Sequence, residues 1–140
     1  MSNLGLGVMI NMLGGNEETV KAHLKAQGKI ISEIRFSEKA LILKFGDGSA
    51  IKIWDGGQSC CEHRYMTTDD DLQYFVGTKF LNAELREAPS KDTEYGDVHE
   101  VQFLLVNTDK GTFTIESHNE HNGYYGGFWI VINDLTQETL

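Results

Sequence analysis

The chain has 140 residues, 40% of them apolar and 24% charged, with a formal net charge of −9. That size fits one domain, residues 1–140, with enough apolar material for a core. The charge excludes bulk binding to duplex DNA or RNA, and no apolar run reaches the ~20 residues of a membrane span.

In chain order, residues 4–13 are apolar and broken by glycines, which suits a sheet edge or a subunit contact. Gly14-Gly15 ends that stretch. Asn16 reads as a helix N-cap, with Glu17 and Glu18 at the positive end of the helix dipole. Val20 and Leu24 then form an i, i+4 apolar face, and Gly28 stops the helix. Residues 1–28 are thus an apolar segment and a short helix, and residues 29–140 are a β-rich core. From Lys29 to Trp54 the period changes to alternation, which predicts three antiparallel strands. Gly46-Asp47-Gly48 marks a hairpin turn among them.

Residues 55–66 read as a polar, glycine-led loop containing Cys60, Cys61 and Arg64. A short helix is expected near Thr67, with Leu72, Phe75 and Val76 as its apolar face and Gly77 as its stop. Residues 78–87 alternate as a strand, with Phe80, Asn82 and Glu84 on one side and Leu81, Ala83 and Leu85 on the other. Residues 89–97 are a polar loop. Residues 98–107 form the most apolar strand, which suits a central position. Asp109-Lys110-Gly111 closes a hairpin to a strand over 112–117. A second unusual stretch, 118–127, is rich in His, Asn, Tyr and Gly, and a last strand follows over 128–133. The fold class expected is α+β, a mostly antiparallel β-sheet with one or two short helices.

The two unusual stretches hold the candidate chemistry, and we expect them to meet in space. Three readings compete. A zinc site would draw on His63, Cys60, Cys61 and Glu62, or on His118 and His121. Adjacent cysteines seldom share an ion, however, and His-x-x-His here lacks a helical setting, so no metal or other cofactor is expected. A cysteine enzyme would pair Cys60 or Cys61 with His63, oriented by Asp55 or Glu62, or with His118 or His121. Members of such a dyad usually come from separate elements. The cysteines read instead as small packing residues in a reducing cytosol, since neighbours cannot staple distant segments.

The third reading is nucleotide binding without chemistry. Arg64 would contact a phosphate by its fork, with Arg35 as its partner if the sheet brings them together. Tyr124, Tyr125, Tyr74 or Phe75 would stack a base. Asn119 and Asn122 would read base edges or ribose, although Asn122-Gly123 also suits a hairpin turn. Asp69, Asp70 and Asp71 read as a helix start rather than a magnesium site. Arg64 competes with a structural role, pairing with Asp55 or Glu62. In the binding role, Arg64→Ala would cost affinity with little change in melting temperature.

The motifs Gly57-Gln58-Ser59-Cys60-Cys61-Glu62-His63-Arg64-Tyr65-Met66 and His118-Asn119-Glu120-His121-Asn122-Gly123-Tyr124-Tyr125-Gly126-Gly127 resemble signatures of a domain family carried by phages and prophages. The chain also resembles the Thoeris anti-defence family, whose members sequester cyclic ADP-ribose signals without cleaving them. The resemblance runs from about Lys29 onward. It implies a non-enzymatic sponge, a homo-oligomer built on dimers, in the host cytoplasm, with a small cyclic nucleotide as partner and neither nucleic acid nor membrane. Arg35 and Arg64 resemble the family's phosphate-contacting arginines. With these, His118, Asn119, Asn122, Tyr124, Tyr125 and Phe75 complete the expected binding set. The alternatives to the sponge are a small cytosolic hydrolase acting on a nucleotide and a zinc-stabilised interaction module.

Overall fold

The structure is a computed structural model that describes residues 17–57, 62–87, 98–121 and 127–135, with the backbone of 91–92. Helix α1 spans Glu17–Ala26. The strands are β1 (Ile31–Ser37), β2 (Ala40–Phe45), β3 (Ala50–Asp55), β4 (Glu62–Thr67), β5 (Phe80–Glu87), β6 (Lys91–Asp92), β7 (Val98–Thr108), β8 (Gly111–His121) and β9 (Ile130–Asp134). One 3-10 turn, Leu72–Phe75, lies between β4 and β5. The strands form two antiparallel sheets, ordered β1-β2-β3-β9 and β4-β8-β7-β5, with β6 beside β7. The class is α+β, mostly antiparallel sheet. Among the described residues no helix is long and apolar enough to cross a membrane.

Period-two patterning directs the core. Leu41, Leu43, Phe45, Ile51, Ile53, Ile130 and Ile132 point inward from the first sheet. Ala83, Leu85, Leu104, Val106, Phe113 and Ile115 do so from the second. All belong to one buried cluster, so the two inner faces pack on each other. The sheets are stitched at one edge, where Ile31 N–H donates to the Thr78 carbonyl (2.8 Å) and Phe80 N–H to that of Lys29 (2.8 Å).

Five details differ from the sequence reading. First, α1 does not bury Val20 and Leu24; Leu24 is 51% exposed, and Thr19, Ala22, His23 and Ala26 face inward. The small alanines let the helix approach closely. Thr19 Oγ1 accepts from the Ile132 N–H of β9 (3.1 Å) and His23 Nε2 from the Ala83 N–H of β5 (2.9 Å). Two buried strand amides therefore choose the helix face.

Second, β5 carries a register shift between Phe80 and Asn82. The extra residue puts Leu81 toward solvent and turns Phe80, Ala83 and Leu85 together into the core, which breaks simple alternation. Third, residues 62–67 are a strand instead of a loop. The helix expected near Thr67 shrinks to the 3-10 turn, which the Asp71 side chain caps by accepting from Gln73 N–H. Leu72 and Phe75 are buried there as expected, and Gly77 follows at φ 93°. Fourth, β8 continues four residues past Ser117, so His118 to His121 lie on a strand. Fifth, the last strand begins at Ile130, two residues later than expected, and pairs with β3 to complete the first sheet. Strand β7 lies between β8 and β5, as expected of the most apolar strand. Residues 4–13 and Asn16 lie outside the described residues.

Candidate functional site

Pairing of β4 with β8 brings the two unusual stretches together. Arg64 lies opposite Asn119, Glu62 opposite His121, and Met66 opposite Ser117. These residues face the interior. The intervening ones, His63, Tyr65 and Thr67 beside Glu120, His118 and Glu116, face outward. On the far side of β8, Glu100 pairs with Asn119 and Gln102 with Ser117. The interior at this end is therefore polar, with Gln102, Ser117, Asn119 and His121 all buried.

Arg64 is the hub of that polar end. Its Nη1 donates to both oxygens of Asp55 (3.0 and 2.9 Å) and to the Gly127 carbonyl (3.1 Å). Its Nε and Nη2 donate to the two oxygens of Glu62 (2.9 and 3.1 Å). The side chains of Arg64, Asp55 and Glu62 are only 8%, 6% and 1% exposed. Burial alone would lower the Arg64 pKa, but the hydrogen bonds and charges of Glu62 and Asp55 outweigh it and raise the pKa. Asp55 Oδ1 also accepts from the amides of Gly57 (3.0 Å) and Trp129 (3.1 Å), tying β3 to the approach of β9.

Gly57 lies flat against the guanidinium. A Cβ at that position would stand 2.8 Å from Arg64 Nη1. Glu100 Oε1 accepts from the Gly127 amide (2.9 Å) and lies 2.8 Å from His121 Nε2. Asn119 Nδ2 donates to Glu62 and to the Gly127 carbonyl, both at 3.3 Å. Its Oδ1 is buried and has no hydrogen-bond partner among the described residues.

This geometry gives Arg64 the pairing with Asp55 and Glu62 that the sequence offers as the alternative to a phosphate contact. Its donors already meet two carboxylates and a carbonyl, so an anion would have to displace a carboxylate. Arg64→Ala would also strand Asp55 and Glu62, so a clear fall in melting temperature is now expected in place of little change. Arg35 lies on β1 opposite Ile42, on the outer face of the first sheet, bonded to Glu33, with its side chain 55% exposed. It does not share a face with Arg64.

Phe75 packs in the core, 5.0 Å from the Phe113 ring, while Tyr74 beside it is exposed. His118 and Asn119 are consecutive on a strand and point to opposite faces, as do His118 and His121. The expected binding set is thereby split between an inner and an outer site. Asn122, Tyr124, Tyr125, Cys60 and Cys61 lie outside the described residues. Among the described residues no group of three or more His, Cys, Asp or Glu is gathered for a metal ion.

On the outer face the rings of Tyr65 and His118 stack at 4.5 Å with planes 7° apart. His63 and His99 flank them, 4.7 Å from Tyr65 and 5.1 Å from His118. Burial and the Glu120 carboxylate, to which the Tyr65 hydroxyl donates, push the Tyr65 pKa up to about 12. Sequence reasoning missed Glu100 and His99, and it placed Gly127 in the second stretch without a role of its own. A signal existed for Glu100. It and Gln102 occupy the same inward register of β7 as Leu104 and Val106, so the inward side turns polar along one strand.

The fold and this cluster define a class: a small α+β fold of two antiparallel sheets, apolar at one end and closed at the other by a buried ion cluster. Residues 25–131 match the family model described as Domain of unknown function (DUF7448). The match covers well over half of the chain, which therefore belongs to that family. It begins in α1 and ends in β9, so it spans both sheets. No curated protein matches the chain, and no solved structure does.

Proposed function

We propose that the protein captures a small cyclic nucleotide of the ADP-ribose type and holds it without cleavage, as a phage anti-defence sponge in the host cytoplasm. The reading includes assembly into a homo-oligomer. One observation carries it. Asn119 Oδ1 is buried without a partner among the described residues at the polar end of the sandwich, between Arg64 and Glu100 on the neighbouring strands. A buried acceptor left unpaired costs roughly 1–3 kcal/mol, which a ligand N–H or O–H would recover. Asn119 would then read a base edge or a ribose hydroxyl. Arg64 acts from behind, fixing Glu62 and the Gly127 carbonyl, the two acceptors that hold the Asn119 amide.

The test is calorimetry with a set of cyclic ADP-ribose isomers, followed by mass spectrometry of ligand released by heat. Binding of one isomer, its recovery at unchanged mass, and at least a tenfold affinity loss in Asn119→Ala are expected. A folded protein that binds no isomer, or that returns a product of altered mass, would refute the sponge.

A further inference from the structure

The outward side chains of β7 include an apolar run. Val101, Phe103 and Leu105 alternate with the buried Gln102, Leu104 and Val106 and are themselves half-buried. None of the three belongs to the buried cluster between the sheets. Because β7 runs between β5 and β8, they form a stripe down the middle of the second sheet's outer face. Polar groups close both ends. At one, Asn107 Nδ2 donates to Asn82 Oδ1 (2.7 Å) and Glu84 Oε2 (2.8 Å). At the other stand His99 and His118. An apolar centre within a polar rim is the make-up of a protein–protein contact.

The charges beside the stripe identify what covers it. Strand register sets Arg86 of β5, Phe103 of β7 and Glu116 of β8 in one row across the sheet. A cation and an anion thus stand about 5 Å to either side of Phe103. The next row is Glu84, Leu105 and Thr114.

We propose that this face binds a second copy of the same chain, sheet on sheet, about a twofold axis parallel to β7. Such an axis lays β7 on the second copy's β7, and β5 on its β8, with the rows in step. Arg86 then meets the second copy's Glu116, and the symmetry makes that contact twice. Glu84 meets the second copy's Thr114, a hydroxyl donor. Phe103 and Leu105 each pack on their own equivalents. A twofold axis across the strands would set Arg86 on Arg86 and Glu116 on Glu116, so like charges reject it and the charge pattern selects the first arrangement. Arg86 can make the contact without losing its present one. Its Nε and Nη2 donate to Glu84 (3.2 and 3.1 Å), its side chain is 66% exposed, and a guanidinium has N–H donors enough for a second carboxylate. The contact gives the homo-oligomer of the capture reading a defined face, and it stands on the outer face alone.

The experiment is sedimentation velocity on the whole chain over a concentration series, with no nucleotide present. A reversible dimer is expected. Arg86→Glu should weaken it at least tenfold, because carboxylate then meets carboxylate twice. Arg86→Glu combined with Glu116→Arg should restore the dimer to within about threefold of wild type. Glu84 stays beside position 86 in both variants, so recovery in the exchanged chain reads the contact between copies. A wild-type monomer at every concentration, a dimer indifferent to Arg86→Glu, or no recovery in the exchanged chain would overturn this face. A monomer that still binds a cyclic ADP-ribose isomer would overturn the face and leave capture standing; a dimer with these responses that binds no isomer would do the reverse.

Discussion

The two halves of β8 face the same interior and are buried alike, yet they meet opposite chemistry. Phe113 and Ile115 enter the apolar cluster, where Phe113 meets Phe75. Ser117, Asn119 and His121 enter a region of carboxylates, amides and one guanidinium. Strand geometry sets only the direction of a side chain. What it meets is set by the neighbouring strands: Leu104 and Val106 of β7 at one end, Glu100 and Gln102 of the same strand at the other. Burial by itself therefore does not distinguish a core that drives folding from one that holds a specific arrangement.

The largest effects should come from cutting each half at its centre. Phe113→Ala removes a fully buried ring and should cost about 3–5 kcal/mol by urea denaturation. Arg64→Ala should cost a similar ~3–5 kcal/mol, for another reason: it leaves Asp55 and Glu62 buried without their counter-charge. The remedies separate them. Arg64→Met combined with Asp55→Asn and Glu62→Gln should recover most of the Arg64 loss. No polar exchange around Phe113 should rescue that cavity. If Arg64→Ala proves as stable as wild type, the polar end is not a structural clasp.

A smaller effect concerns pH. Burial lowers the pKa of His23 below its ordinary 6.5, so the folded protein keeps the ring neutral while the unfolded chain accepts a proton. Its contribution is thus complete above that ordinary value and is lost as pH falls toward the lowered one. Denaturation midpoints should decline as pH falls below the ordinary histidine value of 6.5, and less steeply in His23→Gln, which keeps an acceptor for the Ala83 amide. Identical slopes in the two proteins would assign the pH dependence to other groups. The smallest effect expected is that of Arg35→Ala, within about 0.5 kcal/mol, because its pair with Glu33 is exposed to solvent.

Legibility in the sequence followed the same divide. The strands built on alternating Leu, Ile and Phe were readable, from β1 to β3 and through β7, as were the turns at Gly46-Asp47-Gly48 and Asp109-Lys110-Gly111. Strand β4 was not, because its inward residues include Glu62 and Arg64, which are buried through each other and not through hydrophobicity. The end of β8 hid for the same reason, since an inward Asn119 and His121 look like loop residues until the partner strands are known. The α1 face was misread because Thr19 and His23 are chosen by amides of β9 and β5, far away in sequence. At the candidate site, the meeting of the two unusual stretches was legible from their composition. The division of His118 from Asn119 was not, since it follows from their lying on a strand.

Gly57 gives that buried cluster a reach into the chain's mutability. A methyl group at this position would sit 2.8 Å from Arg64 Nη1 and 2.9 Å from its Cζ. The guanidinium is the far end of a flexible side chain, but five hydrogen bonds pin it, so it cannot give way without loosening Asp55, Glu62 or Gly127. Gly57→Ala would therefore act as a charge mutation although it carries no charge. In a library of random variants, position 57 should tolerate substitution only together with changes at 55, 62 or 64. The four positions would then vary as one genetic unit.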